Sequence, residues 1–551
     1  MSISEPRKNS PVSAGLLTSP AVCLIVASAV FITGVGGCGV IPLFAKVQKA
    51  RARITKGPVL LRVYQDRAAV MWETNTQEPV RLYYGKDGKL DKYVESRGRK
   101  VQYESRREAE ESVKKTAFIH KVWLDDLEAG QDYSYRVACS QRQSKTYQFR
   151  TVPVSTDEVR FIVYGDSRTH ARTHRKLVEL MIRKNVDFVV HAGDLVSSGD
   201  RYEQWGPQFF EPLKGLTETV PIYIAKGNHE RNGGNYEKLL IPGGEGNSFS
   251  FDYGPVHYFC VDNVSRGLKA DKQLGLIAAD AKNSQAMWKF VSYHVPSVNF
   301  GGHWSKWGYP DALATLAKAR VDFVVVGHSH QYERFRPVAP LSGTDGNYVT
   351  YITTGGGGAS LSGVDPILYH ASAKKIHHFC LFHIRGNRLT METIDIDGKV
   401  IDHLEISKTD GQPNKQYLQA AVPMEAIRLH QALHSASLKP LSARPQKGQP
   451  FTIACTLSIP ELNEAAKITF SLRCDKGTYE LPEPEIVTIP KEAGAVEAKL
   501  TVTPLVEVKV PKDSRGRAKP IAPALWLDYH YEIGRVKETI SKAVMAKAKR
   551  N

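Results

Sequence analysis

Five short apolar runs in the middle of the chain each end in a polar cluster, and that recurrence constrains the fold more than any other feature. The runs are VRFIVY before Gly165-Asp166-Ser167-Arg168, DFVVHA before Gly193-Asp194-Leu195, PIYIAK before Gly227-Asn228-His229-Glu230, WKFVSY before His294, and VDFVVV before Gly327-His328-Ser329-His330. Runs of this length, rich in Val, Ile, Phe and Tyr, predict buried strands, and in α/β sheets functional groups collect just past the carboxyl ends of strands. One sheet edge is therefore expected to gather all five clusters.

The residue types in those clusters point to metal chemistry. Oxygen and imidazole donors without thiolates suit Mn, Fe or Zn. Asp166, Asp194, Asn228, His294, His328 and His330 suffice for two such ions, divalent or trivalent, sharing one carboxylate. Two ions about 3.5–4 Å apart form a clamp for in-line displacement at phosphorus, in which a bridging hydroxide attacks and both ions neutralise developing charge. Any single Gly-Asp after a strand reads first as an ordinary turn, since Gly and Asp are turn residues. The ordered repetition is what favours a metal site and the hydrolysis of a phosphate ester.

The series GDSR, GDL, GNHE, a lone strand-end His and GHSH resembles the calcineurin-like metallophosphoesterase superfamily. Within it, His328-x-His330-x-Tyr332-Glu333-Arg334 and the later Tyr351-Ile352-Thr353-Thr354 followed by Gly355 to Gly358 are similar to purple acid phosphatases. The similarity runs over about residues 156 to 405 and, more weakly, over 57 to 153. It implies that Asp166 and His330 serve a first metal, that Asn228, His294 and His328 serve a second, and that Asp194 bridges them. It further implies that His229 meets the substrate phosphate, and that His303, nine residues after His294, acts as general acid.

The chain departs from the resemblance at two places. Purple acid phosphatases have a Tyr three residues after the bridging Asp, where this chain has Ser197, so no purple colour is expected. Other branches of the superfamily place a His two residues after the first Asp, where this chain has Arg168. The first metal therefore lacks an obvious further protein ligand. Arg168 itself has two readings, a bidentate clamp on substrate phosphate or a salt bridge that holds its loop.

Other residues admit functional and structural readings. His191, in the second run, is either a support for the ligands or a core imidazole. His170 and His174 open the apparent helix THRKLVELMIRK and read mainly as surface or cap residues, with His170 the one that could reach the site. Gly355 to Gly358 has no following Lys-Ser/Thr and so is not a nucleotide phosphate loop; a backbone crossing close to the metals is expected instead. Trp205 reads as core, while Trp304 and Trp307, beside His303, read as core or as pocket wall.

The flanking segments give the domain plan. With 551 residues the chain exceeds one core, and 42% hydrophobic residues suit a globular protein. Residues 57 to 153 carry alternating strands and Leu127-x-Ala129-Gly130-x-x-Tyr133-x-Tyr135-x-Val137, which looks like a fibronectin type III sandwich with Trp72 in its core, Tyr133 or Tyr135 as corner tyrosine and a structural His120. The charged stretch from Glu95 to Lys115 is expected as a long hairpin or a short helix. METIDIDGKVIDHLEI closes the catalytic part with a hairpin turning at Asp397-Gly398. Residues 406–440 are expected as a polar linker with some helical character, and 441–551 as a second β-sandwich. The expected fold class is α/β, a metallophosphoesterase β-sandwich core flanked by helices, between an N-terminal fibronectin type III-like sandwich and a C-terminal β-rich domain.

Arg7 and Lys8 precede a stretch from Asn9 to Ala45 that has no charged residue, which reads as a signal or membrane anchor over 1–45. Val35-Gly36-Gly37-Cys38 resembles a bacterial lipobox with Cys38 lipidated; an uncleaved span through Phe44 is the rival. Either places the protein outside the cytoplasm, in the cell envelope. Five cysteines then remain for the mature part, with Cys455 and Cys474 a candidate disulfide. The net charge of +17 is partly concentrated after the anchor and in the tail from Arg535 to Arg550. Without an aromatic-interleaved basic surface, that charge favours solvated tails, anionic envelope surfaces or steering of anionic substrates over nucleic acid. The function expected is a binuclear phosphatase acting on monoesters. A phosphodiesterase on nucleotides or lipid head groups and a non-catalytic surface binding protein are the alternatives.

Overall fold

The computed structural model describes residues 52–545, apart from 106–112, 140–141, 233, 342, 441–445, 463–464, 493 and 507–524. The anchor reading of 1–45, with Cys23 and Cys38, lies outside the described residues.

At the centre two seven-stranded sheets face each other. The first contains β1 (Glu158–Tyr164), β2 (Phe188–His191) and β3 (Ile222–Ile224), which are parallel neighbours; β1 also pairs antiparallel with His378–Arg385. The second contains β4 (Trp288–Tyr293), β5 (Phe323–Val326) and β6 (Thr350–Thr354), again parallel in that order. Strands buried on both faces read as continuous apolar runs, which is why the five runs lack alternation.

Aromatic rings fill the space between the sheets. Phe161 stacks on Phe188 with centroids 4.7 Å apart and on Phe382 at 5.0 Å, and Phe290 meets its edge at 5.2 Å. Helix α1 (Ala171–Ile182) covers the outer face of the first sheet with His174, Leu177, Val178 and Met181. That is the i, i+3, i+4, i+7 stripe of an amphipathic helix. His174, expected as a surface or cap residue, is instead fully buried, with Nε2 2.9 Å from the Tyr164 hydroxyl. It stands on the stripe that faces the sheet.

The N-terminal part is a sandwich of two sheets. Trp72 is fully buried and stacks on His120 at 4.9 Å, and the His120 ring nitrogens meet Thr74 Oγ1 and Ser96 Oγ at 3.0 Å each. The Tyr133 hydroxyl accepts a hydrogen bond from the Glu128 amide at 2.9 Å, which makes Tyr133 the corner tyrosine. Tyr135 instead donates to the Glu218 carbonyl of the central part at 2.7 Å. The charged stretch forms a hairpin, Arg99–Ser105 against Val113–Leu124.

The C-terminal part is a second sandwich, and two expectations about it and its approach are corrected. Cys455 and Cys474 form no disulfide; all five described cysteines are free. Their strands, Phe451–Ile459 and Ala466–Cys474, belong to opposite sheets. Cys455 Sγ lies 3.4 Å from the Tyr529 hydroxyl. Nor is the stretch 406–440 a polar linker. It continues a strand to Thr409 and, with the helical character expected of it, forms a short helix over Lys415–Gln419 and then helix α2 (Met424–His434), whose residues from Met424 to Leu433 are all buried. One apolar cluster joins Ile427, Leu429 and Leu433 to Val291 and Leu316 of the central part and to Ile453 and Tyr531 of the sandwich. Each such side chain contributes about 1.5–3 kcal/mol on burial, so α2 works as a shared core element.

Candidate metal centre

Parallel register brings the strand ends together. Asp166, Asp194 and Asn228 follow β1, β2 and β3 in the first sheet, and His294, His328 and His330 follow β4 and β5 in the second. The chain turns sharply at these points. Asp166, Asp194 and His328 have φ of 57°, 60° and 71°, a region that residues other than glycine rarely occupy. Three such residues around one centre indicate backbone held in place by its surroundings. Two glycines let the loops close. A Cβ on Gly227 would stand 2.4 Å from Asp194 Oδ1, and one on Gly327 2.6 Å from Asp166 Oδ2.

The six expected ligands converge. Asn228 Oδ1 lies 3.0 Å from both His294 Nε2 and His328 Nδ1, and Asp194 Oδ1 lies 3.3 Å from His294 Nε2. His294 Nδ1 donates to the Ala192 carbonyl at 2.8 Å. In the neutral ring Nε2 is then an unprotonated acceptor aimed at two oxygens that are also acceptors. A cation among them resolves that conflict. On the other side, His330 Nδ1 donates to the Ser360 carbonyl at 2.9 Å, which turns its Nε2 lone pair toward Asp166 Oδ1, 3.4 Å away. Asp166 Oδ1 is buried and has no hydrogen-bond partner, another mark of a site shaped for positive charge.

The titration tendencies follow from burial and like charge. Burial, with Asp194 adding and His294 opposing, pushes the Asp166 carboxyl up to about 8. Burial also acts to raise Asp194, but His294 and His229 hold it below the usual carboxylate range. Burial, then His294, pulls His328 down to about 3, so its ring stays neutral and available as a ligand.

Arg168 reaches into the centre. Its Nε lies 3.2 Å from Asp194 Oδ2 and its Nη2 lies 3.3 Å from His330 Nε2. Ser197 offers no ligand: its hydroxyl is 3.1 Å from Gln208 Oε1 and 3.2 Å from Thr169 Oγ1. The Ser197 carbonyl, however, accepts from His229 Nδ1 at 2.7 Å, which leaves His229 Nε2 facing Asp194 Oδ2 at 3.8 Å. His303 Nδ1 lies 3.1 Å from the His328 carbonyl, with its ring 4.8 Å from that of His330. Burial lowers both His229 and His303, the latter helped by His330.

His170 is turned away, its Nδ1 bonded to the Gly358 carbonyl at 2.8 Å. His191 is a fully buried imidazole that serves both readings made of it: Nε2 meets Ser167 Oγ at 2.9 Å and Nδ1 accepts from the Gly193 amide at 3.2 Å, so it ties together two ligand-bearing loops. The glycine run does cross beside the centre, where a Cβ on Gly355 would meet Asp166 Oδ2 at 2.9 Å. Trp205 is core; Trp307 packs on Tyr293 at 4.7 Å, and Trp304 packs on His434 of α2 at 4.8 Å.

Several supporting residues escaped the sequence reading. Glu230 accepts from the amides of Asp194, Leu195 and Gly227 at 2.9, 2.8 and 2.7 Å, pinning with one carboxylate two loops that carry expected ligands. The His303 loop is held by Asn299, by Ser329 Oγ and by Glu333, which accepts from the amides of Phe300 and Gly301 at 3.0 and 2.9 Å. Glu230 was visible only as the last letter of GNHE, Ser329 and Glu333 only as letters of the motif that begins at Gly327, and Asn299 gave no signal.

Comparison with known proteins gives concordant matches. Residues 159–332 match the family described as Calcineurin-like phosphoesterase, and residues 60–151 match that described as Purple acid Phosphatase, N-terminal domain. The chain is 26% identical over 364 residues to "Probable inactive purple acid phosphatase 1" of Arabidopsis thaliana, covering 53% of this chain and 58% of the relative. It is 29% identical to "Purple acid phosphatase 21" of the same plant, covering 44% and 58%. It is 24% identical to "Acid phosphatase type 7" of Homo sapiens, covering 53% and 77%. The chain thus spans 58% of the length of each of the two plant relatives. Among solved structures, "Structure of PhoD" shares the fold with a TM-score of 0.51 at 12% identity, covering 65% of this chain and 90% of that one.

Proposed function

We propose that this chain, which carries a calcineurin-like phosphoesterase domain joined to a purple acid phosphatase N-terminal domain, is a metal-dependent hydrolase of phosphate monoesters. The observation that carries the reading is the convergence of His294 Nε2 and His328 Nδ1 on Asn228 Oδ1, 3.0 Å from each, with the His294 proton already committed to the Ala192 carbonyl. Asp194, Asn228, His294 and His328 would hold one ion; Asp166, His330 and the second oxygen of Asp194 face a second position. Metal bound there would supply positive charge to the phosphoryl oxygens and lower the pKa of the attacking water. Iron, manganese and zinc all suit these donors.

The chain's own groups do the rest. His229 and His303 each commit Nδ1–H to a backbone carbonyl, so Nε2 is the atom each presents to a substrate. A phosphate dianion beside these rings favours their charged form. His229 would then bind a phosphoryl oxygen, and His303 at the rim would hand its proton to the leaving oxygen. Arg168 adds a charge on the same side.

We place the protein outside the cytoplasm, anchored by a lipid on Cys38 or by an uncleaved span. The uncharged stretch Asn9 to Ala45 supports this. Among the described residues no helix is long and apolar enough to cross a membrane. The working division is a catalytic part over 156–405 between sandwiches at 57–153 and 441–551, with α2 shared.

The test is hydrolysis of a chromogenic phosphate monoester and its diester counterpart by the chain from Ala45 onward. The protein is supplied in turn with Mn, Zn, Fe and Mg, and Asp194→Asn serves as control. Monoester turnover lost in the control supports the proposal, and a diester preference replaces it with phosphodiesterase. No turnover and no bound metal would leave a binding protein; the name of the first plant relative above calls that protein probably inactive.

A further inference from the structure

The two halves of the centre are built differently. On the Asn228 side, Asn228 Oδ1, His294 Nε2, His328 Nδ1 and Asp194 Oδ1 meet with no positively charged side chain among them. That is a complete set of four donors for one ion. On the Asp166 side, Asp166 Oδ1 and His330 Nε2 lie 3.4 Å apart, but a cation of the chain's own already lies there. Arg168 spans Asp194 and His330, with Nε 3.2 Å from Asp194 Oδ2 and Nη2 3.3 Å from His330 Nε2, and its side chain is only 15% exposed.

Among the described residues, neither Ser197 nor His170 is turned to complete a metal shell on that side. Ser197 turns its hydroxyl to Gln208 and Thr169, and His170 is bonded to the Gly358 carbonyl. An ion at this position would have to displace the guanidinium from two bonds and then tolerate it as a neighbour of like charge.

We infer that Arg168 occupies the first metal position, so that the centre holds one ion, on Asp194, Asn228, His294 and His328, and uses the guanidinium as its second positive charge. This rests on the metallophosphatase reading and narrows it. The planar fork suits two oxygens of a tetrahedral phosphoryl group, so on substrate binding Arg168 passes from Asp194 and His330 to the phosphate.

The experiment counts metal. The protein is loaded with excess manganese, freed of loose ions by gel filtration, and assayed by mass spectrometry of the metal and by electron paramagnetic resonance. We expect one manganese per chain and the spectrum of an isolated ion. In Arg168→His, which replaces the cation by a ligand, we expect close to two ions per chain and the spectrum of a coupled pair, with an unfolding midpoint near that of the parent. Arg168→Ala should also gain metal, but more weakly.

A coupled pair or two ions in the unaltered protein overturns the inference while leaving the hydrolase reading intact. So does a stoichiometry that stays at one in a folded Arg168→His. No metal and no ester turnover in the unaltered protein would remove both readings together.

Discussion

His294 Nε2 lies 3.0 Å from Asn228 Oδ1 while His294 Nδ1 is committed to the Ala192 carbonyl, so two acceptors face each other at hydrogen-bond distance without a proton between them. Such a contact is costly in a buried place and becomes favourable once a cation enters. The first prediction follows from linkage. Manganese or zinc at 100 times its dissociation constant adds about 2.7 kcal/mol to stability, read as a rise in unfolding midpoint. His294→Ala should abolish that rise. An equal rise in the variant would show that the ion binds elsewhere.

Glu230 holds three backbone amides from two ligand loops. Glu230→Ala orphans all three, and each buried unpaired N–H costs about 1–3 kcal/mol. The expected loss is at least about 3 kcal/mol in denaturant unfolding, with metal content falling in parallel because Asp194 and Asn228 lose their common support. Retention of full metal content would mean that the loops hold themselves.

The leaving group should report on His303. A general acid matters most for a poor leaving group, and its removal costs roughly 10²–10⁴-fold. His303→Asn should therefore slow an alkyl phosphate by about that factor and a nitrophenyl ester far less. Equal slowing of both would assign His303 to binding instead.

His257 predicts a pH dependence far from the centre. Its ring nitrogens lie 2.7 Å from Asp252 Oδ1 and 2.6 Å from Asp280 Oδ2. Burial opposes the charged ring, but the two carboxylates outweigh it and raise the pKa from 6.5 to about 9. A folded pKa above the unfolded one means that the contribution is complete below pH about 6.5 and is lost as pH rises through about 9. Exposure of Asp252 to solvent reduces it to about 1 kcal/mol. The difference in unfolding midpoint between the parent and His257→Gln should shrink from pH 6 to pH 9.5. A constant difference would contradict the assignment.

Helix α2 donates from Gln431 Nε2 to the Ser297 carbonyl at 2.6 Å, and His430 packs on Phe300 at 4.4 Å, just before His303 in the chain. Gln431→Ala removes the brace from the His303 loop. Since small misplacements of a catalytic group cost up to about 10²-fold, turnover of poor leaving groups should fall by roughly 10-fold or more with metal content unchanged.

The legible part of the site was the part whose chemistry resides in residue type. Asp166, Asp194, Asn228, His294, His328 and His330 announced themselves because each ends an apolar run, and parallel pairing then brought those ends together. Glu230 and Asn299 were silent because they act by hydrogen bonds to backbone groups, which any sequence offers. Helix α2 was misread because Glu425, Arg428, His430 and Gln431 make it look polar, yet all four are buried. Burial on every side erases the contrast between wet and dry faces from which a helix's environment is read. Cys455 and Cys474 looked like partners because their strands follow one another, and strand succession does not specify which sheet of a sandwich each strand joins.

The position of α2 also bears on how such a protein could diversify. A catalytic unit with its own closed surface can be cut from one chain and grafted into another, but here the wall behind the His303 loop is made by a helix whose far side belongs to the C-terminal sandwich. Lineages that exchange that sandwich must keep the helix or rebuild the backing of the His303 loop around its replacement.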